Sequence, residues 1–195
     1  MSSHHFVKEK QEPALLILSD ESIENELLGQ LLEWSPIVIV DEHALFVLNH
    51  HPIKIDVIIK SKQSEIDLSA FVSSQDHIII LEREEHQDPL EICINYLIKE
   101  NHTALNVIAC TEDRFYTLLT KNVNLDFILY KPEKKLYLIK NTFKKWKSKG
   151  STFIIKNTVS KTINLQNLDD RYIVIEDGLV VISTDEKIII EEIDE

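Results

Sequence analysis

Glycine is the scarcest thing in this sequence: three in 195 residues, where ordinary usage of about 7% predicts roughly 14. Gly29 falls in a helical pattern, Gly150 closes a lysine-rich run and Gly178 falls in a turn, so no strand-to-helix loop in the first 130 residues carries one. Phosphate-cradling loops use glycine to bring backbone N–H groups close to an anion, and that chemistry is excluded. Cysteine is nearly absent too. Cys93 and Cys110 each sit in an apolar stretch and read as buried, inert thiols of a reducing compartment, with a cytoplasmic location expected. No apolar run approaches the roughly 18 residues that span a bilayer. The opening MSSHHFVKEKQEP lacks the apolar centre of a signal peptide.

Positive charge is also in deficit, with a formal net charge of −12. That argues against nucleic acid, because phosphate binding needs a basic face. One local exception, KNTFKKWKSKG (Lys140 to Gly150), reads as a solvated connection with its aromatics packed inward. Neither nucleic acid nor membrane is expected as a partner. The histidine pairs His4-His5 and His50-His51 lack a spacing that completes a four-ligand zinc site, and they read as surface or turn residues. No nucleophile elbow or catalytic triad is apparent. Trp34, at the end of a helical pattern, reads as a core or interface anchor.

The chain is 44% hydrophobic and 28% charged, enough for one substantial core and a small second one. ALLILS, PIVIV, DVII, HIIIL, LNVIAC and DFILY, between Ala14 and Tyr130, are short and mostly β-branched. Continuous apolarity suits strands buried on both faces. Between them lie helical patterns. Asp20 or Ser22 is a cap for the stripe Ile23, Leu27, Leu28, Leu31, Leu32. Asp88 with Pro89 and Glu91 opens another, with Leu90, Ile94, Leu97 and Ile98 facing in. The expected fold is α/β, a mostly parallel sheet flanked by helices, followed by a small all-β C-terminal domain. After Tyr130 the pattern becomes closely spaced strands: KKLYLIK, STFIIKNT, TINLQNL, RYIVIEDGLVVIS and KIIIEEI, with Asp177-Gly178 as a hairpin turn signal. The expected division is 1–132 and 133–195.

Strand-helix order, PIKIDVII before a loop, QDPLE opening a helix, VIACTEDR leading into another, and a terminal β segment with EDGLVVIS together resemble thiamine pyrophosphokinase. The likeness runs through nearly the whole chain in order and spacing, while the chemical motifs are altered. It implies an α/β domain that supplies acids and ATP loops, and a β domain, here shortened, that supplies the thiamine pocket. That family transfers a pyrophosphoryl group from ATP to thiamine with Mg²⁺, in a homodimer with sites at the interface.

Carried over by resemblance, the family's first acid falls on Asp41 or Glu42. Its Gly-Asp-x-Asp-Ser motif falls on Lys60, Ser61, Lys62, Gln63 and Ser64, with both acids gone. Its Thr-Asp pair falls on Gln87 and Asp88, so one acid position is retained, and the basic residue that follows is replaced by Glu91. Its Gly-Ala-Thr-Gly-x-Arg loop falls on Ala109 to Arg114, retaining Thr111 and Arg114 and losing both glycines. Its thiamine-pocket Ser-Asn pair falls on Asp170, Arg171 and Tyr172.

Phosphoryl-type transfer depends on positioning and on charge neutralisation by Mg²⁺ held on carboxylates. Exchanging two acids for Ser61 and Gln63, and adding Lys60 and Lys62, swings the local charge by about four, where unit charges 4 Å apart interact by roughly 4 kcal/mol near a surface. The expectation is a thiamine pyrophosphokinase-like protein that has lost catalysis and serves as a binding, regulatory or dimerisation module. It is expected as a homodimer or paired with an active relative. No metal site and no cofactor are expected. Mg²⁺ and ATP enter only with the alternative, a divergent active enzyme converting ATP and thiamine to AMP and thiamine diphosphate. A third reading makes Lys60, Lys62 and Arg114 a metal-free anion or nucleotide sensor. Glu84, Glu85, Asp88, Glu112 and Asp113 read as ordinary acidic loop residues, the alternative being a rebuilt cation site.

Overall fold

The computed structural model describes residues 12–19, 23–48, 53–75, 77–121 and 124–193. Both histidine pairs and the caps expected at Asp20 or Ser22 lie outside them. By packing, the chain divides into two compact units, Met1–Cys110 and Thr111–Glu195.

The first unit carries β1 (Ala14–Ile17), β2 (Val38–Asp41), β3 (Val57–Ser61), β4 (Ile79–Arg83) and β5 (Ala104–Ile108), paired in parallel in the order β5-β1-β2-β3-β4. The inner strands are apolar without alternation because both their faces are buried. β4 is different. As the edge strand it exposes Ile79 and Ile80, so its unbroken apolarity does not signal two buried faces.

Helices α1 (Asn25–Leu32), α2 (Leu45–Leu48), α3 (Ser69–Ser74) and α4 (Pro89–Lys99) connect the strands. The start of α4 follows the sequence signal: Asp88 Oδ1 accepts the Leu90 N–H at 2.7 Å, and Pro89 occupies the first turn where its missing N–H costs nothing. Leu90, Cys93, Ile94 and Leu97 form its buried stripe against β3 and β4, each large aliphatic contributing about 1.5–3 kcal/mol. Ile98, expected to face in, is exposed. Burial raises the Cys93 thiol pKa, which keeps it inert. Cys110 is buried as well, and neither forms a disulfide. Trp34 is largely exposed just past α1 and is not a core anchor.

The second unit begins with α5 (Glu112–Tyr116) and a 3₁₀ turn, Thr117–Thr120. Its strands are β6 (Asp126–Lys131), β7 (Lys134–Ile139), β8 (Thr142–Lys147), β9 (Thr152–Lys156), β10 (Lys161–Ile163), β11 (Leu165–Leu168), β12 (Arg171–Val174), β13 (Gly178–Ser183) and β14 (Ile188–Ile193). They run antiparallel in two layers, β11-β12-β9-β14-β7-β6 and β10-β13-β8. Between the layers lies a core of Tyr137, Phe143, Phe153, Val174, Val180, Ile182, Ile188 and Ile190. Its aromatics meet edge to face, with centroids 5.0 Å apart for Tyr137–Phe143 and 6.1 Å for Phe143–Phe153.

Three expectations change. Over the whole chain the pairing is mixed, not mostly parallel, because every strand pairing in the second unit is antiparallel. The lysine-rich run is the strand β8: alternation turns Phe143 inward but leaves Trp146 exposed, so only one of its aromatics packs. Asp177-Gly178 does not close a hairpin. β12 belongs to one layer and β13 to the other, and Asn164 ties the crossing by bonding both the N–H and the carbonyl of Glu176.

Candidate functional site

Ligands of open α/β sheets bind beyond the carboxyl ends of the parallel strands. Here β2, β3 and β4 end side by side on Asp41, Ser61 and Arg83. Asp41 and Glu42, the two candidates for the first acid, are both buried. Asp41 Oδ1 caps the turn that follows, accepting the His43 N–H at 3.1 Å and facing His43 Nδ1 at 2.6 Å. Glu42 Oε1 accepts the Ser61 N–H at 2.9 Å.

Arg83 points into this pair. Its Nη2 lies 3.5 Å from Glu42 Oε1 and its Nε 3.8 Å from Asp41 Oδ2, while Nη1 donates to the Glu85 carbonyl at 3.2 Å and reaches the Gln87 carbonyl at 3.5 Å. Asp41 Oδ2, Glu42 Oε2 and Arg83 Nε have no hydrogen-bond partner. The arrangement is a buried two-acid, one-base cluster held by charge more than by hydrogen bonds. Sequence reading missed Arg83. Its only signal is a basic residue closing the apolar run HIIIL-Glu82 within an otherwise acidic stretch.

The altered motif is occupied by internal contacts. Lys60 and Ser61 belong to β3 itself, not to a loop. Lys60 Nζ donates to the Ile66 carbonyl at 2.7 Å. The Ser61 hydroxyl bonds Gln63 Oε1 at 2.9 Å, and Gln63 Nε2 reaches Glu84 Oε2 at 3.5 Å. Lys62 Nζ pairs with Glu84 Oε1, and its backbone N–H donates to the Arg83 carbonyl at 3.0 Å. The bond and charge of Glu84 raise the Lys62 pKa, and the bond from Lys62, aided by Gln63, lowers that of Glu84. Both side chains are solvated, so this pair fixes the loop more than it stabilises the fold. Asp88 serves as the cap of α4.

In the second unit Thr111 stands at the N-terminal end of α5 without capping it through its side chain, and Arg114 is half-buried in its last turn. Asp170 and Arg171 are exposed around the β11–β12 turn, with Arg171 Nε 3.9 Å from Asp170 Oδ1. Tyr172 packs against the core between the layers. Glu112 accepts from Lys134 Nζ at 2.9 Å, and Asp113 is exposed.

Two further polar networks, both missed by sequence reading, hang from neighbouring residues of β14 on opposite faces. Glu191 accepts from Tyr116 Oη and pairs with Lys156 Nζ, both at 2.6 Å, and lies 3.4 Å from Lys134 Nζ. Glu192 accepts from Lys145, Lys147 and Tyr137, each at 2.7 Å. Burial pushes the Glu192 carboxyl up, but the three hydrogen bonds outweigh it and hold it at about 2. Each carboxylate is saturated by its own partners.

The residues do not fit a magnesium ion in the manner that carboxylate sites require. A guanidinium already stands within 4 Å of both acids, the place that a magnesium ion bound through one or two carboxylates would take.

No family model matches the sequence, and no curated protein is similar to it in sequence. The fold does match solved structures. It is the fold of the thiamine pyrophosphokinases, and the structural neighbours are those enzymes and proteins of their family. Thiamine pyrophosphokinase from Bacillus subtilis superposes with a TM-score of 0.64 over 93% of this chain and 99% of that one, at 12% identity. The yeast enzyme gives 0.61 over 94% and 87%, also at 12% identity. A protein from Lactobacillus plantarum gives 0.69 over 93% and 98%, at 8% identity.

Proposed function

We propose that this chain is a thiamine pyrophosphokinase-fold protein that has lost catalysis and acts as a binding, regulatory or dimerisation module. The observation that carries this reading is Arg83. Two buried carboxylates at the ends of parallel strands are suited to a divalent cation, and here a tethered guanidinium lies beside both. An internal cation of this kind neutralises charge but offers no exchangeable coordination position to a phosphate oxygen. The lysines of the altered motif point the same way: Lys60 is engaged by a carbonyl and Lys62 by Glu84, which weakens the anion-sensor reading.

Thermal unfolding with Mg²⁺-ATP, thiamine and thiamine diphosphate, each tested separately, checks the reading. Mg²⁺-ATP is expected to give no shift, whereas a ligand at 100 times its Kd stabilises by about 2.7 kcal/mol. Formation of thiamine diphosphate above a no-enzyme control overturns it. The second reading, a divergent active enzyme, is favoured by one observation: Asp41 Oδ2 and Glu42 Oε2 remain without hydrogen-bond partners. It requires Arg83 to withdraw, and predicts a magnesium-dependent shift that Arg83→Met enlarges.

A further inference from the structure

The layer β10-β13-β8 lays one face on the core of the second unit, where Phe143, Val180 and Ile182 are buried. Strand alternation therefore turns their neighbours outward. A solvated sheet face is usually polar, and this one is not. Trp146 stands opposite Leu179, and one rung further along Val181 lies between Lys144 and Ile163. Trp146 is 62% exposed, Leu179 53% and Ile163 46%. On the next rung Lys161 stands opposite Ser183.

Charge on this face has one sign. Lys144 and Lys161 are exposed, and the three strands contain no acidic residue, although the chain as a whole carries a net charge of −12. The nearest acids in sequence, Asp177 and Asp185, lie outside the two ends of β13. The remaining lysines of β8 are already engaged. Lys145 and Lys147 turn inward and donate to Glu192, each at 2.7 Å. The strand thus keeps Lys144 beside Trp146 on its outer side, which makes an apolar surface with a cationic margin and not a track for phosphates.

We propose that this face binds an acidic amphipathic helix of another protein. Apolar patches with a polar rim mark interaction surfaces, and the dimensions here are those of one helix. Two strand spacings separate β10 from β8, about 10 Å, which is the diameter of a helix. The apolar diagonal from Trp146 through Leu179 and Val181 to Ile163 is about 12 Å long, the span of helical residues i, i+4 and i+8. Lys144 and Lys161 both lie on one side of that diagonal, so the complementary helix carries its carboxylates along one flank of its apolar stripe. A second copy is disfavoured, because the face stacked on itself sets lysine against lysine. Two to three helical turns cover less than the roughly 800 Å² per partner of standard interfaces, so binding is reversible and in the micromolar range. The inference does not rest on the loss of catalysis proposed for the first unit.

The full chain carrying Trp34→Phe, which leaves Trp146 as its one tryptophan, provides the fluorescence readout. The probe is a synthetic helix of about 18 residues with leucines at three- and four-residue spacing and glutamates along one flank. One control helix has lysine for each glutamate, a second has the leucine spacing scrambled, and oligothymidine is the third competitor. The glutamate helix is expected to change Trp146 emission saturably in the micromolar range, and to shift backbone amide resonances along β8, β13 and β10. Each control is expected to bind about tenfold more weakly or worse. Leu179→Lys is expected to weaken the glutamate helix by about tenfold, while Lys144→Glu with Lys161→Glu, which serves if Leu179→Lys fails to fold, is expected to shift the preference to the lysine helix. No binding of the glutamate helix up to about millimolar concentration overturns the proposal. So does equal binding of either control helix, a preference for oligothymidine, or self-association that shields Trp146 from a soluble quencher.

Discussion

Replacing Arg83 with methionine keeps much of the side chain's length and apolar stem while removing the charge that faces Asp41 and Glu42. At the observed separations of 3.5 and 3.8 Å, each charge pair is worth about 4–5 kcal/mol at an effective dielectric near 20. Desolvation of the three buried groups cancels part of that attraction in the native protein. It does not help the variant, where among the described residues the two carboxylates are left with no cation beside them except an exposed histidine. The expected loss is about 3–5 kcal/mol, the cost of breaking a buried pair by removing one partner. Urea unfolding of wild type, Arg83→Met, Glu42→Gln and the double variant measures it. Glu42→Gln keeps an oxygen for the Ser61 N–H while removing one stranded charge, so the double variant is expected to lose less than Arg83→Met alone. The coupling energy should exceed about 1 kcal/mol. A loss below about 1 kcal/mol in Arg83→Met, or strictly additive effects, would refute the view that the guanidinium neutralises these acids.

Other consequences are as direct. Glu192 is held at about 2 against an ordinary 4.5, so its folded pKa is depressed and its contribution, about 3 kcal/mol, is present above pH 4.5. That contribution is lost as pH falls from about 4.5 toward 2, and acid unfolding of Glu192→Gln should show a shallower pH dependence than wild type over that window. Ala109, where the family resemblance puts a glycine, has φ of 55°, a left-handed conformation that costs an L-residue about 1–2 kcal/mol. Ala109→Gly is therefore expected to stabilise by about 0.5–1 kcal/mol in chemical denaturation, and a destabilising result would contradict the strain argument. Asp88→Ala removes the cap of α4 and should cost about 1 kcal/mol, read from the same titration.

Local order was legible in the linear sequence wherever one residue type leaves few conformational choices. Four of the six apolar runs, ALLILS, PIVIV, DVII and LNVIAC, became inner strands of the parallel layer, because continuous apolarity has no solvent face to offer, whereas HIIIL became its edge and DFILY the antiparallel β6. Asp88-Pro89 became a helix start because a carboxylate can satisfy an amide that proline's ring leaves room for. The scarcity of glycine and the loss of both acids from one motif were equally plain, and they already argued against a phosphate loop.

What needed three dimensions was everything that depends on which residues become neighbours. Glu42 and Arg83 are 41 positions apart and meet only because β2, β3 and β4 end together. Glu191 and Glu192, adjacent in a run that reads as solvated acid, are buried on opposite faces of a strand because lysines from other strands reach them. Edge position is likewise invisible in composition: HIIIL looks like an inner strand until the strand order places it last. Charge pairing and edge exposure act through space, where hydrogen bonds need contact and Coulomb energy falls with separation in space, not along the chain, so no periodicity in the sequence encodes them.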